Sequence, residues 1–259
     1  MVEDLRSLLF KAEHSALLTP CPEMIVPRVF HNLLVRHGDP LEYAQRNSAL
    51  SQVGRLRSVL LAEQIAQSFR FSPASEYIIA IWHSGRARTI ETAEILQASL
   101  LLIKTKLDAR KIRVLTGLQC ISHMSPEEAL RPLLEAGVAK ENLYKTWINA
   151  PLEFLEKKNA KTPRKLEDEV LEFLMEASEC SLILGKGAPV INIFVTSETT
   201  LGALAQKRFP NQDIRTIGFC EVLRATTGLT GEDGLMQIEY EFRGETWVEN
   251  TPWCVISLN

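Results

Sequence analysis

The chain has little cysteine, with five among 259 residues at Cys21, Cys120, Cys180, Cys220 and Cys254. Their number is odd, their spacing is wide and no C-x-x-C pair occurs, so neither a zinc site nor a dithiol redox pair is signalled. Reduced, packed thiols are the expectation. An excess of one charge is also missing: 29 Lys and Arg stand against 32 Asp and Glu, a net charge of -3. Without an overall basic field, nucleic acid and anionic membrane are not expected partners. No apolar run approaches the ~20 residues that cross a bilayer. The opening MVEDLRSLLFKAEH mixes charges among its leucines, unlike the apolar stretch of a signal peptide, so a cytoplasmic, reducing location is expected. A Gly-rich P-loop, a dinucleotide fingerprint, internal repeats and low-complexity segments are absent too, and no cofactor or metal is called for.

What is present is a chain that is 46% hydrophobic, enough for one sizeable core or for a domain with an added helical layer. Short apolar runs near 30–35, 77–82, 111–115 and 190–195 read as strands buried on both faces in a parallel sheet. Helices fill the gaps. Ser51 caps one through about Phe69, Arg88 opens another that continues to the leucines near Ile103, and a third spans 196–209. Ser125-Pro126-Glu127-Glu128 and Thr162-Pro163 each place proline at a first helical position, so 125–184 is expected to be a mainly helical insertion. Segments 219–225 and 235–242, separated by a Gly-rich loop, suggest an antiparallel hairpin at the sheet edge. Leu5, Leu8, Leu9 and Ala12 could share one helix face, making 1–28 an N-terminal helical extension to a domain over 29–259. The alternation of strand and helix places the chain in the α/β class.

Leu34-Val35-Arg36-His37-Gly38-Asp39-Pro40 carries the chemistry. It is an apolar strand that runs into an Arg-His-Gly turn, placing an imidazole beside a guanidinium where a buried strand ends. Neutral His37 could attack phosphorus through a ring nitrogen and divide one displacement into two easier ones. Arg36 and Arg88 could hold the equatorial oxygens, where charge accumulates during transfer. Gly38 would let the backbone approach the phosphate with no side chain in the way. Ser84, Arg88, Thr92 and Ala93, in HSGRARTIETAEIL, follow another strand, so the second arginine can reach the same crevice.

These two segments resemble the histidine phosphatase superfamily, the group of phosphoglycerate mutases, fructose bisphosphatases and bacterial phosphohistidine phosphatases. Arg36, His37 and Gly38 match its first signature, with His37 at the nucleophile position. Leu50, Ser51 and Gly54 are similar to the L-T-x-x-G helix that follows. Ser84 matches the family serine, Arg88 the second phosphate arginine, and Thr92-Ala93 the next helix. The resemblance implies a three-layer sandwich, with a mostly parallel central sheet, helices on both faces and a helical insertion. Gly85 and Arg86 replace a common Pro-Leu pair; Arg86 could add a phosphate contact or be an exposed arginine at a helix start.

The later motifs depart from that pattern. The family has a second histidine after its fourth core strand, where this chain reads Val195-Thr196-Ser197-Glu198-Thr199-Thr200-Leu201, with Ser197 at the histidine position. Ser197 could donate one hydrogen bond to phosphate or act as a helix N-cap, but it cannot supply positive charge. The acid of the mutase branch is replaced near Leu118-Gln119-Cys120, and a thiol is a poor proton donor. His123, Glu127 and Glu198 are candidate replacements, each also readable as a loop residue or a helix-start acid. The stretch before the Ser125 helix and Leu201 resemble the phosphohistidine phosphatase branch more closely, and imidazole leaves with little help from an acid.

Two functions follow. One is a metal-independent phosphatase acting on a phosphorylated small molecule or phosphoprotein, slow and limited to good leaving groups. The other is a catalytically inactive phosphatase domain that keeps its anion pocket as a phosphate-binding or protein-interaction module. The sequence leaves the oligomeric state open.

Overall fold

The structure is a computed structural model that describes residues 29–42, 48–115, 119–120, 127–139, 142–185, 188–229 and 235–252. The expected N-terminal helix, His123 and the Ser125-Pro126 start lie outside the described residues.

Elements follow in the order β1 (Val29–Arg36), α1 (Gln52–Ser68), β2 (Tyr77–His83), α2 (Ala87–Lys106), β3 (Ile112–Val114), β4 (Gln119–Cys120), α3 (Glu127–Glu135), α4 (Leu143–Asn149), α5 (Leu152–Lys157), α6 (Pro163–Gly185), β5 (Val190–Thr196), α7 (Glu198–Arg208), β6 (Val222–Leu229), β7 (Leu235–Phe242) and β8 (Glu245–Pro252). The strands form one open sheet in the order β3-β2-β5-β1-β6-β7-β8, with β4 beside the end of β2. From β3 to β1 every pairing is parallel; from β1 through β6 and β7 to β8 every pairing is antiparallel. The fold is therefore α/β, built on a single mixed sheet with helices on both faces.

Successive side chains of a strand point to opposite faces, and both faces of the parallel half are covered. Leu33, Val35, Ile79, Ile81, Ile191, Ile193 and Val195 pack with Leu61, Ile65, Ala93 and Leu96 of α1 and α2. Leu34, Trp82 and Phe194 point the other way, into a core that also contains Trp147, Phe173 and Leu174. Phe173 meets Trp82 at 5.9 Å and Phe194 at 5.3 Å between ring centroids, both edge-on, an arrangement that binds α6 to the sheet beyond simple area burial. The region read as a helical insertion thus holds α3 to α6 and forms a layer against the sheet.

Local signals act as their chemistry requires. The Ser51 hydroxyl accepts the Gly54 N–H at 3.0 Å and starts α1, while Pro163 opens α6. Other boundaries move. The strand placed over 219–225 starts at Val222 and runs to Leu229; Phe219 and Cys220 instead form a turn, with Cys220 at φ 59°. β8 was not expected. Arg243 (φ 52°) and Gly244 (φ 81°) form the two-residue turn that joins it to β7, and both positive angles match the twist of a tight hairpin.

Candidate active site

Three parallel strands end level with one another. Arg36 pairs in register with Thr196, and His83 with Val195. The His37 N–H donates to the Thr196 carbonyl at 3.0 Å, and the Ser84 N–H to that of Val195 at 3.1 Å. Because β5 lies between β2 and β1, Ser197 leaves the sheet between Ser84 and His37. Helices α2 and α7 begin immediately beyond, so their positive ends face this edge.

His37 is 3% exposed. Its Nδ1 lies 2.8 Å from the carbonyl oxygen of Gly38. A carbonyl only accepts, so this bond requires the proton on Nδ1 and leaves the lone pair on Nε2. Burial pushes the pKa of His37 down to about 3, and the positive charges of Arg88 and then Arg36 act in the same direction, against the Gly38 hydrogen bond. At neutral pH the ring is uncharged. The ring of Phe219 stands 5.8 Å away.

The turn is anchored to both neighbouring helices. The Gly38 N–H donates to Thr92 Oγ1 at 3.0 Å, and that hydroxyl donates to the Arg88 carbonyl at 2.7 Å. The start of α2, with Arg88, is thereby tied to the nucleophile turn. A Cβ on Gly38 would stand 2.8 Å from the Gly54 carbonyl oxygen, so the close approach of α1 requires glycine here. The Gly38 amide is used by Thr92 and its carbonyl by His37, so the missing side chain itself serves the packing of α1. Arg86 is 8% exposed, which corrects the reading of it as a surface arginine at a helix start. Its backbone N–H donates to Thr89 Oγ1 at 3.0 Å, and Thr89 Oγ1 donates back to its carbonyl at 2.9 Å, which fixes the Arg86 backbone at the start of α2.

Arg36 faces the other side of the sheet. Its Nη1 donates to the Ile217 carbonyl, its Nη2 pairs with the Glu198 carboxylate, and its guanidinium lies 4.0 Å over the Phe219 ring. The loop that supplies Ile217 and Phe219 is held by Arg243, which donates to the Asp213 carbonyl at 2.9 Å and the Thr216 carbonyl at 2.6 Å and pairs with Glu221. Tyr144 of α4 reaches the same place, donating to the Ile214 carbonyl at 2.5 Å. Burial raises its pKa, and the nearby Glu198 charge raises it further. Gly202 of α7 makes room for it, since a Cβ there would stand 2.9 Å from Tyr144 Cζ.

Ser197 occupies the N-cap position of α7, yet its hydroxyl makes no capping bond. It is 6% exposed, and its Oγ has no hydrogen-bond partner among the described residues. A buried hydroxyl without a partner is costly, and an anion at this edge would satisfy it.

Of the residues singled out in the sequence, His37 meets Gly38 and the charges of Arg88 and Arg36, Arg36 pairs with Glu198, Ser197 follows β5 at the same edge, and Arg86 is buried at the start of α2. His123 lies outside the described residues, Glu127 begins α3, and Cys120 sits in β4 opposite His83. Glu198, considered as a proton donor, is found as the ion-pair partner of Arg36. Sequence reasoning did not find Phe219, Ile217 or Tyr144. Phe219 was assigned to a strand, Ile217 acts through its backbone, and Tyr144 lies in a helix with no motif. Among the described residues no group of three His, Cys, Asp or Glu could hold a metal, and no helix is long and apolar enough to cross a membrane.

Among solved structures, the chain is similar to the phosphoglycerate mutase of Bacillus anthracis str. Sterne at 14% identity, over 87% of this chain and 93% of that one, with a TM-score of 0.47. It is similar to a mycobacterial glucosyl-3-phosphoglycerate phosphatase at 15% identity, over 86% and 98%, with a TM-score of 0.43. It is also similar to the protein histidine phosphatase SixA complexed with tungstate at 12% identity, over 87% and 98%, with a TM-score of 0.39. No family model and no curated protein matches the sequence. The function is therefore read from the site itself.

Proposed function

We propose that this chain is a metal-independent phosphohydrolase of the histidine phosphatase type, with His37 as nucleophile and Arg36 and Arg88 holding the phosphoryl group. The observation that carries this reading is the Nδ1–H bond to Gly38, which leaves Nε2 with its lone pair in a neutral, buried ring between two guanidiniums. Nε2 attacks phosphorus, the bond to the leaving group breaks, and the electron pair departs with that group, which takes a proton from water. The positive charge on the phosphorylated ring is shared with Nδ1–H, where the Gly38 carbonyl dipole stabilises it. A water then attacks phosphorus, the electron pair of the P–N bond returns to Nε2, and the proton the water loses neutralises the hydroxide left by the first step as phosphate departs. Ser197 Oγ and Arg86 would add donors to the phosphoryl oxygens. With Glu198 bound to Arg36, the site favours leaving groups that need little help from an acid, such as the imidazole of a phosphohistidine. The substrate class is a phosphorylated small molecule or a phosphoprotein.

One observation favours the second reading, a phosphate-binding module without turnover: Arg36 is already engaged by a carboxylate. The test is covalent trapping. Mixing with a reactive aryl phosphate or a phosphohistidine peptide should place an acid-labile, alkali-stable phosphoryl group on His37, and His37→Ala should abolish both label and product release. Phosphate binding without label or release would leave the binding module; activity that persists in His37→Ala would remove His37 from the chemistry.

A further inference from the structure

The ion pair between Arg36 and Glu198 lies inside the proposed anion site, and it makes that site self-occupied. Glu198 is the first residue of α7, directly after Ser197, and its carboxylate reaches one terminal nitrogen of Arg36 while the Ile217 carbonyl takes the other. Stacking on Phe219 holds the plane of the guanidinium, with one terminal nitrogen directed at Glu198. A carboxylate and a phosphoryl group offer a guanidinium nitrogen the same feature, an anionic oxygen that accepts a charge-assisted hydrogen bond.

We propose that Glu198 is an intramolecular plug, its carboxylate standing on Arg36 where a phosphoryl oxygen of a ligand binds, so that a phosphate must displace it. This rests on the reading of Arg36 as a phosphate ligand. Displacement is physically available. The Glu198 side chain is 17% exposed against 8% for Arg36, so the carboxylate lies on the solvent side of the pair. Once displaced it remains at the positive end of α7, where an acid is favoured. A phosphate dianion brings two charges to a site where Arg88 and Arg36 both act on His37, whereas Glu198 brings a single charge to Arg36. The plug therefore sets a threshold: monoanions and weakly bound esters fail to open the site, and dianionic phosphoryl groups succeed. Glu198 is in this sense a specificity-determining residue.

The experiment is titration of the full chain with inorganic phosphate by calorimetry, for wild type, Glu198→Gln and Glu198→Asp. Phosphate binding requires no proton donor, so the readout is separate from any part Glu198 plays in turnover. Removing the competing charge should tighten phosphate roughly tenfold or more in Glu198→Gln. Glu198→Asp, shorter by one methylene, should show a smaller gain and serves if the glutamine variant does not fold. The gain should vanish in the double variant Arg36→Ala/Glu198→Gln, since it acts through Arg36. Equal or weaker binding in both folded Glu198 variants, with wild type still binding phosphate, would overturn the plug and leave the anion site standing. No phosphate binding by any variant would overturn the anion site itself.

Discussion

Gly54 and Asp39 meet backbone to backbone: a Cβ on Gly54 would stand 2.7 Å from the Asp39 nitrogen. The same glycine offers its carbonyl to the Ser58 hydroxyl at 2.8 Å and lies against Gly38, so the first turn of α1 is the floor on which the nucleophile turn rests.

Gly54→Ala should therefore damage the site without touching a catalytic group. The clash is with backbone, which cannot rotate aside, and overpacking of this kind costs about 1–3 kcal/mol. Thermal unfolding should show a lowered midpoint, and phosphate affinity should fall with it as the 37–39 turn is displaced. An unchanged midpoint would mean that α1 does not press on the turn.

Arg88→Ala should weaken phosphate or vanadate binding by about 1.5–3 kcal/mol, the range for a hydrogen bond to a charged group. It has a second signature. Because the Arg88 charge lowers the His37 pKa, its loss should move that pKa up toward the ordinary value, visible in the titration of the ring protons by NMR. Arg88 would be excluded from the site if neither affinity nor titration changed.

Stability should fall on mild acidification. His37 is held down to about 3 and His31 to about 4, both chiefly by burial, while the unfolded chain protonates each near 6.5. The unfolded state then binds more protons below pH 6.5, so stability is complete above that value and is lost as pH falls toward the folded values. Buried His37 should contribute roughly 1.4 kcal/mol per pH unit across this window, and the less buried His31 a smaller slope. Urea unfolding at pH 7, 6 and 5 should show the loss, and His37→Gln should reduce its slope. An identical slope in that variant would show that His37 is not the buried neutral ring described.

Legibility of the fold followed burial. The four runs near 30–35, 77–82, 111–115 and 190–195 all lie in the parallel half of the sheet, where strands covered on both faces read as continuous apolar stretches. The antiparallel half divided. In β7 buried Ile238, Tyr240 and Phe242 alternate with exposed polar residues, and the expected run 235–242 matches it, whereas β8 has Trp247 and Val248 exposed, shows no such alternation and was missed. The Arg243-Gly244 turn was a usable signal for β8, since a glycine in a two-residue gap after an alternating run is what a tight hairpin requires.

The sequence by itself determined which groups could do phosphoryl chemistry: an arginine and a histidine where β1 stops, a serine where β5 stops, and a second arginine in the helix that follows β2. These were legible because each sits at or just past the end of an apolar strand, and a chain ending its buried run places its next side chains at the sheet edge. Tertiary structure alone decided what those groups are engaged with. Arg36 is held by Glu198, Ile217 and Phe219, and Tyr144 reaches the same place from the helical layer, all more than 100 residues away along the chain. Such contacts leave no local pattern, because they depend on the order of strands in the sheet and on how a loop closes over its edge. The neutral state of His37 is of the same kind, since burial and two guanidinium charges set it, and both exist only once the chain has folded.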